Sequence, residues 1–164
     1  MTQDDRADLW ALAQEPGMVE YTYVPTGATE DFIPGWIQRY VDGWADGSRA
    51  GFLVRAVDDD TFLGFGSIVN LDLEAQQGEI GYALVEAARG RGAASGAVGL
   101  LTEWGFGALD LIRLELHIDD TNLASAKVAE RCGYRKEGVL RSVHFKEGRR
   151  CDLAVWSRLR SDPA

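Results

Sequence analysis

The stretch Glu79-Ile80-Gly81-Tyr82-Ala83-Leu84-Val85 reads as an apolar strand that runs into a glycine-rich turn, Arg89-Gly90-Arg91-Gly92. Ala93-Ala94-Ser95 then open a helix. The first turn of a helix carries N–H groups without intrahelical partners and a partial positive charge. Glycine lets the backbone approach a ligand closely. Such a turn is an anion site suited to a pyrophosphate, and Arg89 and Arg91 add positive charge. Two phosphate-binding patterns fail here. No G-x-x-x-x-G-K-[ST] occurs. Gly90, Gly92 and Gly96 meet G-x-G-x-x-G only in part, late in the chain and without a preceding strand-helix-strand unit.

The elements that must carry this turn follow from periodicity. Asp4 to Gln14 reads as a helix stopped by Glu15-Pro16-Gly17, since proline lacks an amide donor. A second helix, with Thr29 offered as its cap, brings Ile33, Trp36, Ile37, Tyr40, Val41 and Trp44 to helical spacing. Gly51 to Val57 and Thr61 to Val69 form a hairpin around Asp58-Asp59-Asp60, and Glu79 to Val85 is a third strand. Ala97, Leu101, Trp104 and Ala108 give the helix after Gly92 one apolar face. Ile112, Leu114, Leu116 and Ile118 alternate with Arg113, Glu115, His117 and Asp119, the signature of a strand. A short helix runs from Leu123 to Arg131, capped by Asn122 and ended near Gly133. Two strands, about 139–146 and 149–159, close the chain around a turn at Glu147-Gly148. The sum is a mixed α/β sheet with helices packed on it.

Arg89-Gly90-Arg91-Gly92-Ala93-Ala94 resembles the [QR]-x-x-G-x-[GA] signature of the GNAT superfamily of N-acetyltransferases. It follows Gly81-Tyr82-Ala83-Leu84 as that family's fourth strand does. Asn122-Leu123-Ala124-Ser125 is similar to the family's N-x-x-[AS] motif. Glu130-Arg131-Cys132-Gly133-Tyr134, Glu137-Gly138, Leu140-Arg141, Gly148-Arg149 and Asp152 complete a pattern that resembles the RimJ/RimL-like branch, over roughly residues 51–159. The family's usual first strand, with an L-R-P-like sequence, has no counterpart ahead of the first helix.

The resemblance implies a GNAT fold in one domain over 1–164: a mixed, mostly antiparallel sheet whose fourth and fifth strands splay apart, flanked by helices. It implies acetyl-CoA as acyl donor, with the pantetheine lying between the splayed strands. Backbone groups near Leu84 and Val85 would pair with it, the amides from Gly90 to Ser95 would hold the pyrophosphate, and Asn122 would touch the cofactor or simply cap its helix. An N–H near Val85 would polarise the thioester. A primary amine, on a protein N-terminus or a small molecule, would then attack directly. The tyrosine that many members use to protonate the leaving thiolate is replaced by Ala129, so Ser125 stands for that role, or merely begins its helix. His144 aligns with the branch's glutamate base, a role a histidine side chain can fill as a proton acceptor at neutral pH. Glu79, where other members place a base, is the rival. Tyr21, Tyr23 and Trp36 fall where the family lines its acceptor pocket. Family members often dimerise, which makes a homodimer an expectation.

Bulk properties bound these readings. The chain has 164 residues, 26 acidic against 17 basic, and a net charge of -9. That balance argues against nucleic-acid binding, which needs clustered positive charge. No apolar run spans a bilayer and no signal peptide opens the chain, so a cytoplasmic protein without membrane partners is expected. Cys132 and Cys151 are not in metal spacing, and no metal is implied. A catalytically silent acyl-CoA-binding module is the competing reading, and a nucleotide-binding protein is the third.

Overall fold

The alternation over residues 112–119 becomes a strand whose two faces meet different partners. In the computed structural model, which describes residues 1–146 and 148–163, Leu114, Leu116 and Ile118 are buried at 0, 2 and 6% exposure. The helices are α1 (Arg6–Ala13), α2 (Pro16–Tyr21), α3 (Phe32–Asp46), α4 (Ala93–Gly107) and α5 (Leu123–Arg131). The strands are β1 (Ala50–Arg55), β2 (Phe62–Asp72), β3 (Gln77–Leu84), β4 (Arg113–Asp119), β5 (Arg135–Lys146) and β6 (Arg149–Leu159). They form one six-stranded sheet in the order β1-β2-β3-β4-β6-β5. Only β3 and β4 run parallel; the other neighbours are antiparallel. The strands that the family numbers fourth and fifth are therefore β3 and β4.

Two apolar clusters sandwich the sheet. On one face Ile68, Ile80, Leu114, Leu116 and Trp156 pack under Val98 and Leu101 of α4. Gly105 lets that helix settle closely, since a Cβ there would lie 3.0 Å from Leu114 Cδ1. On the other face Phe65 meets Leu9, Leu12, Ile33, Trp36 and Ile37 of the N-terminal helices. Burying each such aliphatic side chain stabilises the fold by about 1.5–3 kcal/mol, which fixes both layers to the strands between them.

The sequence expectations depart from the fold at two places. Pro16 does more than end α1: it occupies the first turn of α2, where a missing N–H costs nothing. Thr29 does not cap α3 with its side chain. Its carbonyl accepts from Phe32 N–H at 2.9 Å, and Asp31 takes the cap position without a side-chain cap bond. In the turn expected at Glu147-Gly148, Gly148 has φ +79°, while Glu147 lies outside the described residues. Among the described residues no helix is long and apolar enough to cross a membrane.

Candidate active site

Residues Gln77, Gly78 and Glu79 of β3 pair with Arg113, Leu114 and Glu115 of β4, and beyond them the ladder stops. β3 continues to Leu84 against β2, and β4 continues to Asp119 against β6. The two strands thus diverge and leave one edge of each open. Parity decides which backbone groups line that gap. Val85 N–H donates to Leu63 O at 3.0 Å. Cross-strand bonding alternates along an antiparallel pair, so Val85, Ala83 and Gly81 address β2. Leu84, Tyr82 and Ile80 address the gap. The N–H expected near Val85 is therefore not that of Val85 itself, whose donor goes to Leu63 O on β2.

The turn after β3 has the shape of a phosphate cradle. Gly90 and Gly92 adopt φ +74° and +83°, and a Cβ on either, or on Gly96, would meet nothing within 4 Å. Gly92 is the N-cap of α4, so the N–H groups of Ala93, Ala94 and Ser95 belong to its first turn. Arg91 is exposed and makes no ion pair among the described residues. Arg89 behaves differently. Its Nη2 donates to Leu84 O at 3.1 Å and to Glu15 Oε2 at 3.0 Å, while Glu15 Oε1 accepts from Glu86 N–H at 2.9 Å. Arg89 thus ties the turn to the start of α2 and covers a carbonyl at the open edge of β3.

Ser125 lies in the first turn of α5, just after β4. Its N–H donates to Asn122 Oδ1 at 3.1 Å, so Asn122 caps the helix. Its Oγ accepts from Tyr82 Oη at 3.0 Å, a bond that links α5 to β3. Burial pushes the Tyr82 phenol pKa up, so the group is a neutral donor. Sequence reasoning gave Tyr82 no role, although a tyrosine between core-facing Ile80 and Leu84 must find a partner for its hydroxyl.

At the closed end of the gap, on the face away from α4, a cavity of about 180 Å³ is lined by Asn70, Gln77, Gly78, Glu79, Glu115 and His117. Glu79 and Glu115 occupy paired positions on adjacent strands, where like charges repel. His117 stands between them, Nε2 2.7 Å from Glu115 Oε2 and Nδ1 3.5 Å from Glu79 Oε2. Asn70 Nδ2 donates to Glu79 Oε2 at 2.9 Å, and Arg113 Nε donates to Glu115 Oε1 at 2.7 Å. Glu79 Oε1 takes no bond among the described residues.

The other candidates separate. His144 and Tyr23 come together with ring centroids 4.9 Å apart, and His144 Nε2 is buried without a partner among the described residues. Tyr21, at the end of α2, faces Thr121 and Asp119; burial and then Glu20 push its phenol pKa up. Trp36 belongs to the core. It is 8% exposed and packs edge-on against Phe65 at 5.4 Å, so it cannot wall an acceptor pocket.

Comparisons agree with this geometry. The family model described as acetyltransferase (GNAT) domain matches residues 1–135. The N-acetyltransferase p20 of Bacillus licheniformis is 28% identical over all of this chain and 92% of its own length. A Bacillus subtilis (strain 168) protein named ribosomal N-acetyltransferase YdaF is 32% identical over 81% of this chain and 69% of its own. RimL, a ribosomal L7/L12 alpha-N-protein acetyltransferase solved with coenzyme A, superposes with TM-score 0.88 at 18% identity, over 97% of this chain and 90% of that one. A Vibrio cholerae spermidine N-acetyltransferase solved with CoA and spermine gives 0.85 at 19%, over 98% and 93%. At these identities the two structures are likenesses of fold. The chain therefore belongs to the GNAT family, and is an N-acetyltransferase that passes an acetyl group from acetyl-CoA to an amine.

Proposed function

We propose that the acceptor is the primary amine of a protein or peptide N-terminus, and that it attacks the thioester directly in the gap between β3 and β4. One observation carries this reading: the two strands pair at only three positions and then separate. The opening has the glycine turn at one end and the Glu79–His117–Glu115 cavity at the other. The residues fit the acyl donor. The space beside Gly90 and Gly92 accepts a pyrophosphate, Arg91 adds charge, and the free edge of β3 offers a strand-like partner to the pantetheine amides. The Asn122 side-chain NH2, which makes no bond among the described residues, can join them. Bound acetyl-CoA supplies an activated acyl group. The N–H of Leu84 stabilises the developing oxyanion, an effect worth about 3 kcal/mol. Glu79 Oε1 takes the ammonium proton, and His117 passes it towards Glu115 and solvent. As the C–S bond breaks, its electron pair moves to sulfur, where Ser125 O–H donates a hydrogen bond.

The YdaF name supports a protein N-terminus. The paired carboxylates of Glu79 and Glu115 favour a second reading, a small polycationic amine. Tyr21, Tyr23 and His144 would then flank the longer part of either acceptor. Exposed Val139, Leu140, Val143 and Phe145 on edge strand β5 support a homodimer, which sedimentation tests. The deciding experiment is thiol release from acetyl-CoA with peptides of varied N-termini and with spermidine. Turnover on peptides upholds the proposal; turnover confined to spermidine replaces it with the second reading. Acetyl-CoA binding with no turnover on either leaves the silent module.

A further inference from the structure

We propose that Tyr82 is a positioning residue that sets the direction of the Ser125 hydroxyl, leaving its proton free for the departing sulfur. This rests on the reading that the thioester lies in the β3–β4 gap. The phenol of Tyr82 sits between Ile80 and Leu84 on the α4 face of β3, and Ser125 Oγ is its hydrogen-bond partner among the described residues, at 3.0 Å. The bond runs from the β3 arm to the helix that follows β4, so it crosses the gap where the ladder has ended.

A serine hydroxyl has one proton and two lone pairs. One lone pair of Ser125 accepts the phenol. Its main-chain N–H is held by Asn122 Oδ1, which fixes the residue at the helix start. What remains on the hydroxyl is the O–H and one lone pair. Serine and threonine in helices commonly return that proton to the carbonyl one turn back. Ser125 forms no such bond among the described residues.

The same fold holds a contrasting pair. Thr102 Oγ1 also meets a tyrosine, Tyr134 Oη at 2.8 Å, but gives its own proton to Val98 O at 2.7 Å. That pair is closed inside the core, with Thr102 and Tyr134 at 2 and 3% exposure. The Tyr82–Ser125 pair has the same tyrosine donor and an unspent proton at the edge of the gap.

In the acyl transfer the C–S electron pair goes to sulfur. Ser125 O–H hydrogen-bonds that charge, and a proton from water completes the thiol. The Tyr82 phenol keeps its own proton throughout and touches no reacting atom, so the effect of the side chain passes through Ser125.

The test is the ionisation of the thiol of bound coenzyme A, followed by thiolate absorbance, in the wild type and in Tyr82→Phe, Ser125→Ala and the double variant. The wild type should hold the thiol pKa below that of free coenzyme A. Each single variant should raise it by about one unit and lower kcat about tenfold, with KM for acetyl-CoA unchanged. The double variant should be no worse than Ser125→Ala, since the two side chains act as one unit. Where Tyr82→Phe fails to fold, 3-fluorotyrosine at position 82, a stronger donor, should lower the thiol pKa below the wild-type value. Additive losses, or a Tyr82→Phe enzyme with wild-type thiol pKa and kcat, overturn the assignment while acetyl transfer stands. A wild type that does not bind coenzyme A overturns the reading of the gap itself and this assignment with it.

Discussion

The Nε2 of His117 lies 2.7 Å from Oε2 of Glu115, and the opposite ring nitrogen faces Glu79. In the proposed mechanism a ring held this way would carry a proton from one carboxylate to the other without turning. Glu79→Gln removes the group that takes the ammonium proton and should lower kcat/KM by about 100-fold. His117→Gln should cost about tenfold, since Glu79 still accepts. Thiol-release kinetics with a fixed acceptor measure both. Wild-type rates in Glu79→Gln would remove it from the proton path.

The turn after β3 yields a ranking. Arg91 makes no ion pair among the described residues, whereas Arg89 is engaged by Glu15 and the Leu84 carbonyl. Arg91→Ala should weaken coenzyme A binding about tenfold, roughly the 1–2 kcal/mol of one charge-assisted contact. Arg89→Ala should weaken it less and lower Tm by loosening the link to α2. Gly92→Ala forces a side chain into φ +83°, at a cost of about 1–2 kcal/mol, and fills the cradle. It should show the largest binding loss of the three. Titration calorimetry with coenzyme A checks the order.

Tyr23 and His144 form a separate aromatic contact at 4.9 Å. Their truncation to alanine should raise KM for the acceptor and leave KM for acetyl-CoA within about twofold, because the loss falls on uniform binding. A fall in kcat alone for His144→Ala would instead return it to the base role that the family pattern suggests.

Much of this was legible in the sequence because it is local. The glycine turn, the Asn122 cap and the alternation in β4 each depend on residues a few positions apart. The gap was legible only through family resemblance, since periodicity carries no information on where two strands stop pairing. His117 was correctly turned away from the core by alternation, but nothing local brings Glu79, 38 positions earlier, into its reach. Which N–H near Val85 faces the gap was not legible, because the parity of β3 is set by its pairing with β2. Trp36 was placed at the acceptor pocket by the family's layout, which does not say which aromatic on the helix packs into the core; here it packs against Phe65.

Glu137 connects stability to acid pH. Its hydrogen bonds from Arg113, and then from Ser157, hold its carboxyl pKa down to about 2 from an ordinary 4.5. The folded pKa is depressed, so the contribution is complete above about pH 4.5 and is lost as pH falls towards 2. The side chain is nearly half exposed, and solvent screening leaves about 1 kcal/mol. Glu137→Gln should be less stable than wild type by that amount at pH 7 and equal to it near pH 2, measured by urea unfolding. A constant gap across the series would remove ionisation as the cause.

Tyr134 predicts the opposite limb. Burial pushes its phenol pKa up to about 12 from an ordinary 10, while its hydroxyl meets Thr102 at 2.8 Å. In the unfolded chain the phenol ionises first, so the native state loses stability as pH rises from 10 to 12. The loss is about 1.4 kcal/mol by pH 11 and about 2.3 kcal/mol by pH 12. Tyr134→Phe removes this ionisation. At pH 7 the variant should be less stable by about 1 kcal/mol, a modest cost because Thr102 keeps its bond to the Val98 carbonyl. The two stability curves should therefore converge with rising pH and cross near pH 11. Parallel curves would mean that the phenol ionises equally in both states, contrary to its burial in the core.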